Sequence, residues 1–342
     1  MSGLAGAQGQ RSLRVGREAG IDPVCHTLVG AGLARSGLAR RTALGTITLL
    51  VGANLPDVDV LAFWWGPGAD LAFRRGWTHG VLALALWPFL LTGAMMLLDR
   101  AIRRLGRASL PSGVLPGQVL LLSCVSVWSH PALDTLNTYG VRWLMPFSGR
   151  WFYGDTLFIV DPWVWLALGL GVALSRLRAS TRPARIALWL AFGYAAAMAV
   201  GAVAARRIAR AEMTAVSGEP VRRLLVSPVP VNPFRRRVVA QLEKVYRTGE
   251  FHWLTDPHLD RASIRVYPKG PADYAAVRSA AGTTLGRRFL GWARFPTFRV
   301  EGTGNGGATV HIVDLRYADR PGVSFGAVSI PVTESLYSEV ME

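Results

Sequence analysis

Three histidines and a small set of aspartates are the residues between Ile21 and Ala211 whose types and spacing could support chemistry. This stretch has no glutamate, and its histidines are His26, His79 and His130. Ionisable groups close to hydrocarbon are energetically costly, so their presence indicates pairing, ion binding or catalysis. The eight aspartates of the same stretch are Asp22, Asp57, Asp59, Asp70, Asp99, Asp134, Asp155 and Asp161.

His130 and Asp134 are four positions apart, so on a helix they project from one face, about one turn apart. A neutral imidazole and a carboxylate can bind one divalent cation, and zinc accepts such nitrogen and oxygen ligands. A metal held there would lower the pKa of a bound water and polarise an ester or phosphoryl oxygen. A structural alternative stays open, because the two residues could form only a hydrogen-bonded pair. A single histidine in a membrane segment is also more often structural than a ligand.

The elements that must position these residues are apolar. The chain is 51% hydrophobic with a mean hydropathy of +0.27, and the excess precedes residue 206. The run Ile186–Ala205 is 20 residues without a charge, which matches the roughly 20 residues that cross a bilayer. The first two apolar segments are short and could form a pair buried in the protein. We predict six such helical segments, at 23–36, 42–56, 80–98, 115–132, 160–176 and 185–205.

Arginines set the predicted orientation of these segments. They cluster in the gaps at 35–41, 100–107 and 176–185, which the positive-inside rule places in the cytoplasm. With six crossings the chain after residue 206 faces outward, to the periplasm in a double-membrane bacterium, although the arginines at 206, 207 and 210 count against this. The outward end of the bundle then collects all the chemistry-bearing residues, which favours one site there: His26, Asp57, Asp59, His79, His130, Asp134 and Asp161.

Charge and cysteine usage narrow the class of protein. The net charge of +16 could indicate a nucleic-acid partner. No lysine precedes Lys244, however, and the early arginines lie in short gaps between apolar runs, so we expect no nucleic-acid binding. Residues 1–20 lack the apolar stretch of a cleavable signal peptide and are expected to be a flexible tail. Cys25 and Cys124 lie in apolar segments and are expected to be packed thiols rather than a disulfide.

Composition changes after residue 211, where glutamate and lysine reappear and strand-like alternation begins. We predict a hairpin of two strands, 237–245 and 250–254, around a Thr-Gly turn. We also predict a helix at 273–289 and three further strands at 297–301, 309–315 and 323–331. These elements suggest a small extramembrane α+β domain over 211–342. The expected fold class is therefore mostly α: a polytopic transmembrane bundle over 21–210, which carries the site, and this domain. His252, His258 and His311 belong to it and are expected at the surface or in packing.

Five sequence elements follow one another in a specific order: Cys25-His26-Thr27, Leu55-Pro56-Asp57-Val58-Asp59, Arg75-Gly76-Trp77-Thr78-His79, His130-Pro131-Ala132-Leu133-Asp134, and Asp155 followed by Asp161-Pro162. Together they resemble the YdjM-type membrane-bound metal-dependent hydrolases of bacterial inner membranes, over residues 22–230. That family usually has a histidine directly before its Arg-Gly-x-Thr-His element, and Arg74 stands there instead, which leaves open whether a second metal binds.

The order of these residues is also similar, more distantly, to zinc-dependent phospholipase C and the S1/P1 nucleases. That resemblance implies one or two ions, with manganese or iron as acceptable as zinc. It implies these metal ligands: His26, Asp57, His79, His130 and Asp134.

Five further residues are candidates for catalytic roles, each with a structural alternative. Asp59 could orient a ligating histidine or hold a second metal. Arg75 could clamp a phosphate or a developing oxyanion. Asn137 lies one turn beyond Asp134 and could face the site. Asp155 and Asp161 could act as a general base or an outer ligand.

The sequence thus predicts a metal-dependent hydrolase embedded in the bacterial inner membrane. A metal-bound water would attack an ester or phosphoester, and membrane lipids are the expected partners and a candidate substrate class. The alternative is a metal-ion transporter, or a membrane scaffold stabilised by metal without catalysis. Transport predicts ionisable groups near the bilayer midplane and often paired repeats. Here the polar groups collect at one end and no repeat is visible, which favours an enzyme.

Overall fold

A computed structural model describes residues 23–66, 68–105, 113–254, 256–272, 274–302, 307–318 and 325–332. The predicted flexible tail, 1–20, lies outside these residues. Within the described residues, seven helices precede the first strand: α1 Pro23–Arg35, α2 Gly45–Asn54, α3 Ala69–Phe73, α4 Val81–Arg104, α5 Pro116–Thr135, α6 Pro162–Leu177 and α7 Arg182–Ser217. Two 3₁₀ helices, Leu38–Arg41 and Leu55–Trp65, flank α2.

Each of the six predicted apolar segments is helical, but the helices differ in their capacity to cross a membrane. Among the described helices, three are long and apolar enough to do so: Gly45–Trp65, which joins α2 to its 3₁₀ extension, α4 and α7. Helix α6 is apolar but shorter. Six separate crossings therefore stay a prediction.

Helix α5 lies at the centre of the helical part of the chain. Its buried positions recur at helical spacing and include Val119, Leu122 and Val127, and it packs against both α2 and α4. Gly52 permits the close approach of α2, because a Cβ there would overlap the Ser126 side chain. The two polar residues in the last turns of α5 are therefore brought against the end of α2.

Helix α7 is too long to end at the membrane surface. Its 36 residues span about 54 Å, against roughly 30 Å of hydrocarbon. Near its C-terminal end, Ala205, Ala209 and Met213 are fully buried against the first sheet. The predicted domain boundary at 210/211 therefore falls inside a continuous helix that ends at Ser217.

The C-terminal part contains more sheet than the small domain that the sequence predicts. A four-stranded antiparallel sheet has the order β1 Arg223–Pro228, β2 Arg235–Gln241, β3 Val245–His252 and β4 His258–Pro268. A second, three-stranded antiparallel sheet follows two short helices, α8 Ala275–Gly282 and α9 Thr284–Trp292. Its strands are β5 Pro296–Gly302, β6 Ala308–Asp314 and β7 Ala327–Val332.

Two details of the predicted C-terminal elements were wrong. The β2–β3 hairpin exists, but it turns at 242–244, and Thr248 and Gly249 lie inside β3 at a bulge. The predicted helix over 273–289 is two helices, because Thr283 is extended and caps α9 by accepting from the Gly286 backbone N–H. Residues 273, 323 and 324 of the predicted elements lie outside the described residues.

Candidate metal centre

Four side chains from three separate regions meet at the end of α5. Asp57 lies in the 3₁₀ segment that follows α2, His79 lies two residues before α4, and His130 and Asp134 lie in the last turns of α5. One ligand atom from each residue lies within 4.8 Å of all the others. The two histidines and Asp134 are buried, and Asp57 is nearly so.

The atoms that face one another in this cluster lack hydrogen-bond partners among the described residues. They are Nε2 of His79, Nε2 of His130, Oδ2 of Asp134 and both carboxylate oxygens of Asp57. They approach each other at 3.3 to 3.6 Å without hydrogen-bond geometry. Buried polar atoms left in this way cost free energy, which a shared cation would recover. The residues present therefore fit a divalent metal ion.

The outer nitrogens of the two histidines are engaged, and this turns the inner nitrogens to the cluster. Nδ1 of His130 donates to the Ala53 carbonyl at 2.7 Å, so in the neutral ring the lone pair is on Nε2. Nδ1 of His79 lies 3.3 Å from Asp59 Oδ2 and 2.9 Å from Thr78 Oγ1. Such contacts behind a ligand fix its tautomer and ring orientation in metal sites.

Asp59 organises the segment that carries His79. Its Oδ2 accepts from the Arg75 backbone N–H at 2.8 Å and from Thr78 Oγ1 at 2.7 Å. Its Oδ1 lies 3.5 Å from Nε of Arg74, and both side chains of that pair are buried. Asp59 thus lies where a carboxylate that orients a ligating histidine is expected.

Arg75 joins the cluster to the loop that follows α5. Its Nη2 contacts Asp134 Oδ1 at 2.9 Å, and its Nη1 donates to Asn137 Oδ1 at 3.0 Å. The guanidinium lies 4.7 Å from the centre of the Tyr139 ring. Burial raises the pKa of Tyr139 to about 12, so the ring beneath the guanidinium is a neutral phenol at physiological pH.

The charge balance of the cluster leaves room for a cation. Three carboxylates, those of Asp57, Asp59 and Asp134, face the two guanidinium groups of Arg74 and Arg75. With neutral imidazoles the set carries one net negative charge. A divalent ion would reverse this to one net positive charge, a suitable environment for an anionic substrate.

His26 lies beside the four-residue set rather than within it. Its Nε2 is 3.5 Å from Asp134 Oδ1, and its ring is stacked on His130 with the centroids 3.7 Å apart. The structure therefore brings all five predicted ligands into one neighbourhood. Coordination by His26 stays a prediction.

Two of the predicted catalytic aspartates are engaged in other contacts. Asp155 pairs with Arg206 at 3.2 Å and with Arg294 at 2.8 Å, so both of its oxygens face arginines. Asp161 caps α6 by accepting from the backbone of Trp163 and Val164. These contacts favour structural roles, and a catalytic role for either residue stays a prediction.

A small cavity reaches the cluster from the side of α1 and α6. Its volume is about 40 Å³, which is room for a water molecule or two. Polar and apolar side chains share its lining: Cys25, His26, Leu133, Asp134, Asn137, Leu157, Phe158, Ile159, Asp161 and Val164. A reacting group that meets Asp134 and Asn137 can therefore be placed next to the ligand atoms.

Sequence reasoning missed three contributors to the site. Thr78 bridges Asp59 and His79, and its position directly before a histidine was an available signal. Arg142 donates to the carbonyls of Ala72 and Arg74 and so holds the segment before His79 in place. Tyr139 supplies the face for Arg75. The last two contacts depend on long-range folding and had no local signal.

Comparison with known proteins gives one family and one curated relative. The sequence model of the family described as "YdjM inner membrane protein" matches residues 21–209, more than half of the chain. "Uncharacterized protein YfhP" of Bacillus subtilis (strain 168) is 23% identical over 128 residues, 37% of this chain. That match spans 36% of the relative's length. No solved structure matches the chain.

The matched stretch contains the four residues of the cluster and His26 beside it. The three described helices that could cross a membrane begin within the same stretch. The family description gives a location and no reaction. The chain belongs to the YdjM inner membrane protein family.

Proposed function

We propose that this protein is a membrane-embedded metal-dependent hydrolase of an ester or phosphoester bond. The observation that carries the proposal is the set of buried ligand atoms without hydrogen-bond partners, which converge beside a cavity large enough for water. A purely structural site would be closed on all sides, whereas catalytic sites keep a position open. The cavity supports the second type.

Different residues of the chain would hold the metal ion and orient its ligands. Asp57, His79, His130 and Asp134 would hold the ion, with His26 as a fifth candidate ligand. The ion would supply a nucleophilic water at neutral pH and polarise the bond under attack. Asp59 keeps Nε2 of His79 turned inward through its contacts with the segment before α4.

Arg75 and Asn137 would bind the anionic part of the substrate. The guanidinium lies 2.9 Å from a ligand carboxylate and 3.0 Å from the amide oxygen of Asn137. Positive charge fixed at this distance stabilises charge that develops on a phosphoryl or tetrahedral oxygen. Because Tyr139 supports the guanidinium from one face, little reorganisation is needed when an anion arrives.

Zinc is the proposed metal, since two imidazoles and two carboxylates are ligands that it accepts in tetrahedral sites. Manganese and iron accept the same set, and availability rather than affinity would decide among them. One ion accounts for the four converging ligands. With Arg74 in the place of the family's usual histidine, a second ion would depend on Asp59 and is not needed.

The proposed location of the site is the periplasmic side of the inner membrane. The support is the arginine bias of the loops at 35–41, 100–107 and 176–185. The cluster lies at the opposite ends of the same helices. The C-terminal sheets follow the last turns of α7 and would lie on that side too.

Metal analysis of detergent-purified protein tests the proposal, with wild type beside His130→Ala and Asp134→Ala. We expect about one zinc or manganese ion per chain in the wild type and almost none in either variant. Asp99→Asn is the matched control, because Asp99 is also a buried membrane-half aspartate but pairs with Arg103. Hydrolysis of chromogenic phosphoesters and esters should follow the metal content. A wild-type chain that neither retains nor takes up metal would exclude the proposal.

The competing function is metal transport or a metal-stabilised scaffold. A transporter would release the bound ion across the membrane in a liposome flux assay, and a scaffold would keep it without any turnover. Full metal occupancy with no hydrolysis across both substrate classes would favour the scaffold. The position of the ligands at helix ends, rather than at mid-helix, supports hydrolysis over transport.

A further inference from the structure

We infer that the substrate is a membrane amphiphile whose anionic phosphoester group reaches the ligand cluster through an apolar opening between α1, α5 and α6. This inference rests on the proposed function and adds the substrate class and its direction of approach. Three features carry it: a cover on one side of the site, an apolar channel wall on another, and an exposed apolar rim.

The cover is formed by the C-terminal part of the chain on the loop that follows α5. Nη1 of Arg316 donates to the Thr138 carbonyl at 2.7 Å, and Nε1 of Trp292 donates to the Tyr139 carbonyl at 3.2 Å. Tyr153 Oη donates to the Trp292 carbonyl at 3.2 Å. All of these side chains are largely or fully buried. A substrate that approached from this side would have to displace the loop that supports Arg75.

The cavity beside His26 offers a different approach. Its inner end is polar, because Asp134 and Asn137 reach it. Its walls are mostly apolar, with Leu133, Leu157, Phe158, Ile159 and Val164, and the side chains of His26 and Asp161 also line it. At about 40 Å³ it has room only for a water molecule or two, so a larger reacting group must part the walls, of which Leu133, Phe158 and Ile159 are half-buried. Such walls favour a hydrocarbon chain behind the reacting group over a second charged group.

Residues that adjoin the cavity lining along the chain are apolar and exposed. Val24 at the start of α1 is 44% exposed, Val160 is 38% exposed, and Trp163 at the start of α6 is 45% exposed. Tryptophan is enriched where protein meets the membrane–water interface. The hydrocarbon part of an amphiphile can therefore stay against α1 and α6 while its head group points inward.

The anionic character follows from what lies at the inner end. Asn137 lines the cavity and accepts a hydrogen bond from Arg75 at 3.0 Å. A phosphoryl oxygen that reaches Asn137 is thus one hydrogen bond away from a buried guanidinium. Planar guanidinium groups recognise phosphate strongly, and they do so best where water is excluded.

Thiol protection tests the inference without requiring turnover. In a Cys124→Ala background, Cys25 is the remaining cysteine of the chain and lines the opening. The probe is dodecyl phosphate, added to metal-loaded protein in dodecyl maltoside, and the readout is the rate of modification by N-ethylmaleimide. At a concentration about ten times its dissociation constant, the probe should slow modification about tenfold by mass action. Inorganic phosphate at the same concentration should not.

A matched control places the cysteine outside the opening. Ala132→Cys, with both native cysteines replaced by alanine, puts a thiol on the exposed face of α5 beside Leu133, and the probe should leave its rate unchanged. Where Cys25 itself does not react, Ile159→Cys in the same background carries the measurement.

The outcomes separate the two proposals. Metal-loaded protein whose opening is not protected by dodecyl phosphate overturns the amphiphile inference and leaves the hydrolase proposal standing. Equal protection by inorganic phosphate overturns the inference in favour of a water-soluble phosphoester. A chain that binds no metal overturns both.

Discussion

Asp59 is the residue at which the geometry of the cluster can be tested most sharply, because it touches a ligand without being one of the four converging residues. We expect Asp59→Asn to weaken zinc binding about tenfold and Asp59→Ala to weaken it about a hundredfold, the range typical of carboxylates behind metal ligands. The order follows from the contacts of the two oxygens. Oδ2 accepts from the Arg75 N–H and the Thr78 hydroxyl and lies beside Nδ1 of His79.

An asparagine retains one oxygen, which can stay at the Oδ2 position and keep these contacts. Its amide nitrogen then faces Nε of Arg74, where Oδ1 lies 3.5 Å away in the wild type. Alanine removes every contact and frees the segment that carries His79. Both variants leave Arg74 with its buried charge less well compensated, so each should also lose about 3–5 kcal/mol of stability. A tenfold change in affinity corresponds to about 1.4 kcal/mol.

Competition with a chromophoric chelator measures the zinc affinity of each variant, and thermal unfolding of the metal-free protein measures stability separately. Asp99→Asn is the control, because its partner Arg103 is 47% exposed and the pair lies at the far end of α4. Its zinc affinity should match the wild type. The reasoning is refuted if Asp59→Ala binds zinc as tightly as the wild type, or if Asp99→Asn weakens binding equally.

Three further changes probe the supports of the site. Gly52→Ala should lower the stability by about 1–3 kcal/mol and weaken metal binding, because it moves α2, whose Ala53 carbonyl orients His130. Gly93→Ala, which places its Cβ in open space, should change neither the stability nor the metal affinity in the same melting and titration experiments. Asp155→Asn should lower the thermal stability by about 1–3 kcal/mol, chiefly through the loss of its pair with Arg294, the less exposed of its two arginine partners. Its zinc affinity should match the wild type, and a clear loss of zinc affinity would instead support a role in the site. Arg316→Met should destabilise the protein by about 3–5 kcal/mol, because it removes the guanidinium partner of the buried Asp314 carboxylate. Arg299→Met, which removes a largely exposed pair with Glu301, should leave the unfolding midpoint unchanged.

The cluster of candidate metal ligands was predictable because the surrounding sequence is apolar. In a stretch without glutamate, each histidine and aspartate stands out, and the arginine bias of the loops indicates which helix ends lie together. The helical spacing of His130 and Asp134 then places them on one face. Those arguments use only the local sequence pattern and the order in which the helices alternate in direction. They do not require knowledge of which helices pack against each other.

Asp155 makes contacts that such arguments do not include. Its backbone takes a positive φ of 50°, a conformation that local sequence rarely signals outside glycine. Its partners lie 51 and 139 residues away in sequence. The bend turns the carboxylate toward α7 and the segment after α9.

The wrong hairpin turn has a similar cause. A Thr-Gly pair between two apolar runs is typical of a turn, yet Gly249 lies within β3. There it sits at the bulge where the register to β4 shifts between Thr248 and Glu250. Glycine in a strand interior often marks a bulge rather than a turn. Which of the two occurs depends on the neighbouring strand β4, which a pattern read along one strand does not include.

Asp57 is the residue that best distinguishes a metal site from a structural network of hydrogen bonds. A structural network built around Arg75 would account for Asp134, whose Oδ1 contacts that guanidinium at 2.9 Å. It does not account for Asp57, whose two oxygens are buried without a hydrogen-bond partner among the described residues. Its Oδ1 lies 3.6 Å from Nε2 of His130, which carries the lone pair of the neutral ring because the opposite nitrogen donates to a carbonyl. With His130 neutral, these two acceptors repel each other unless a cation lies between them, so the contact between Asp57 and His130 supports a cation at this place.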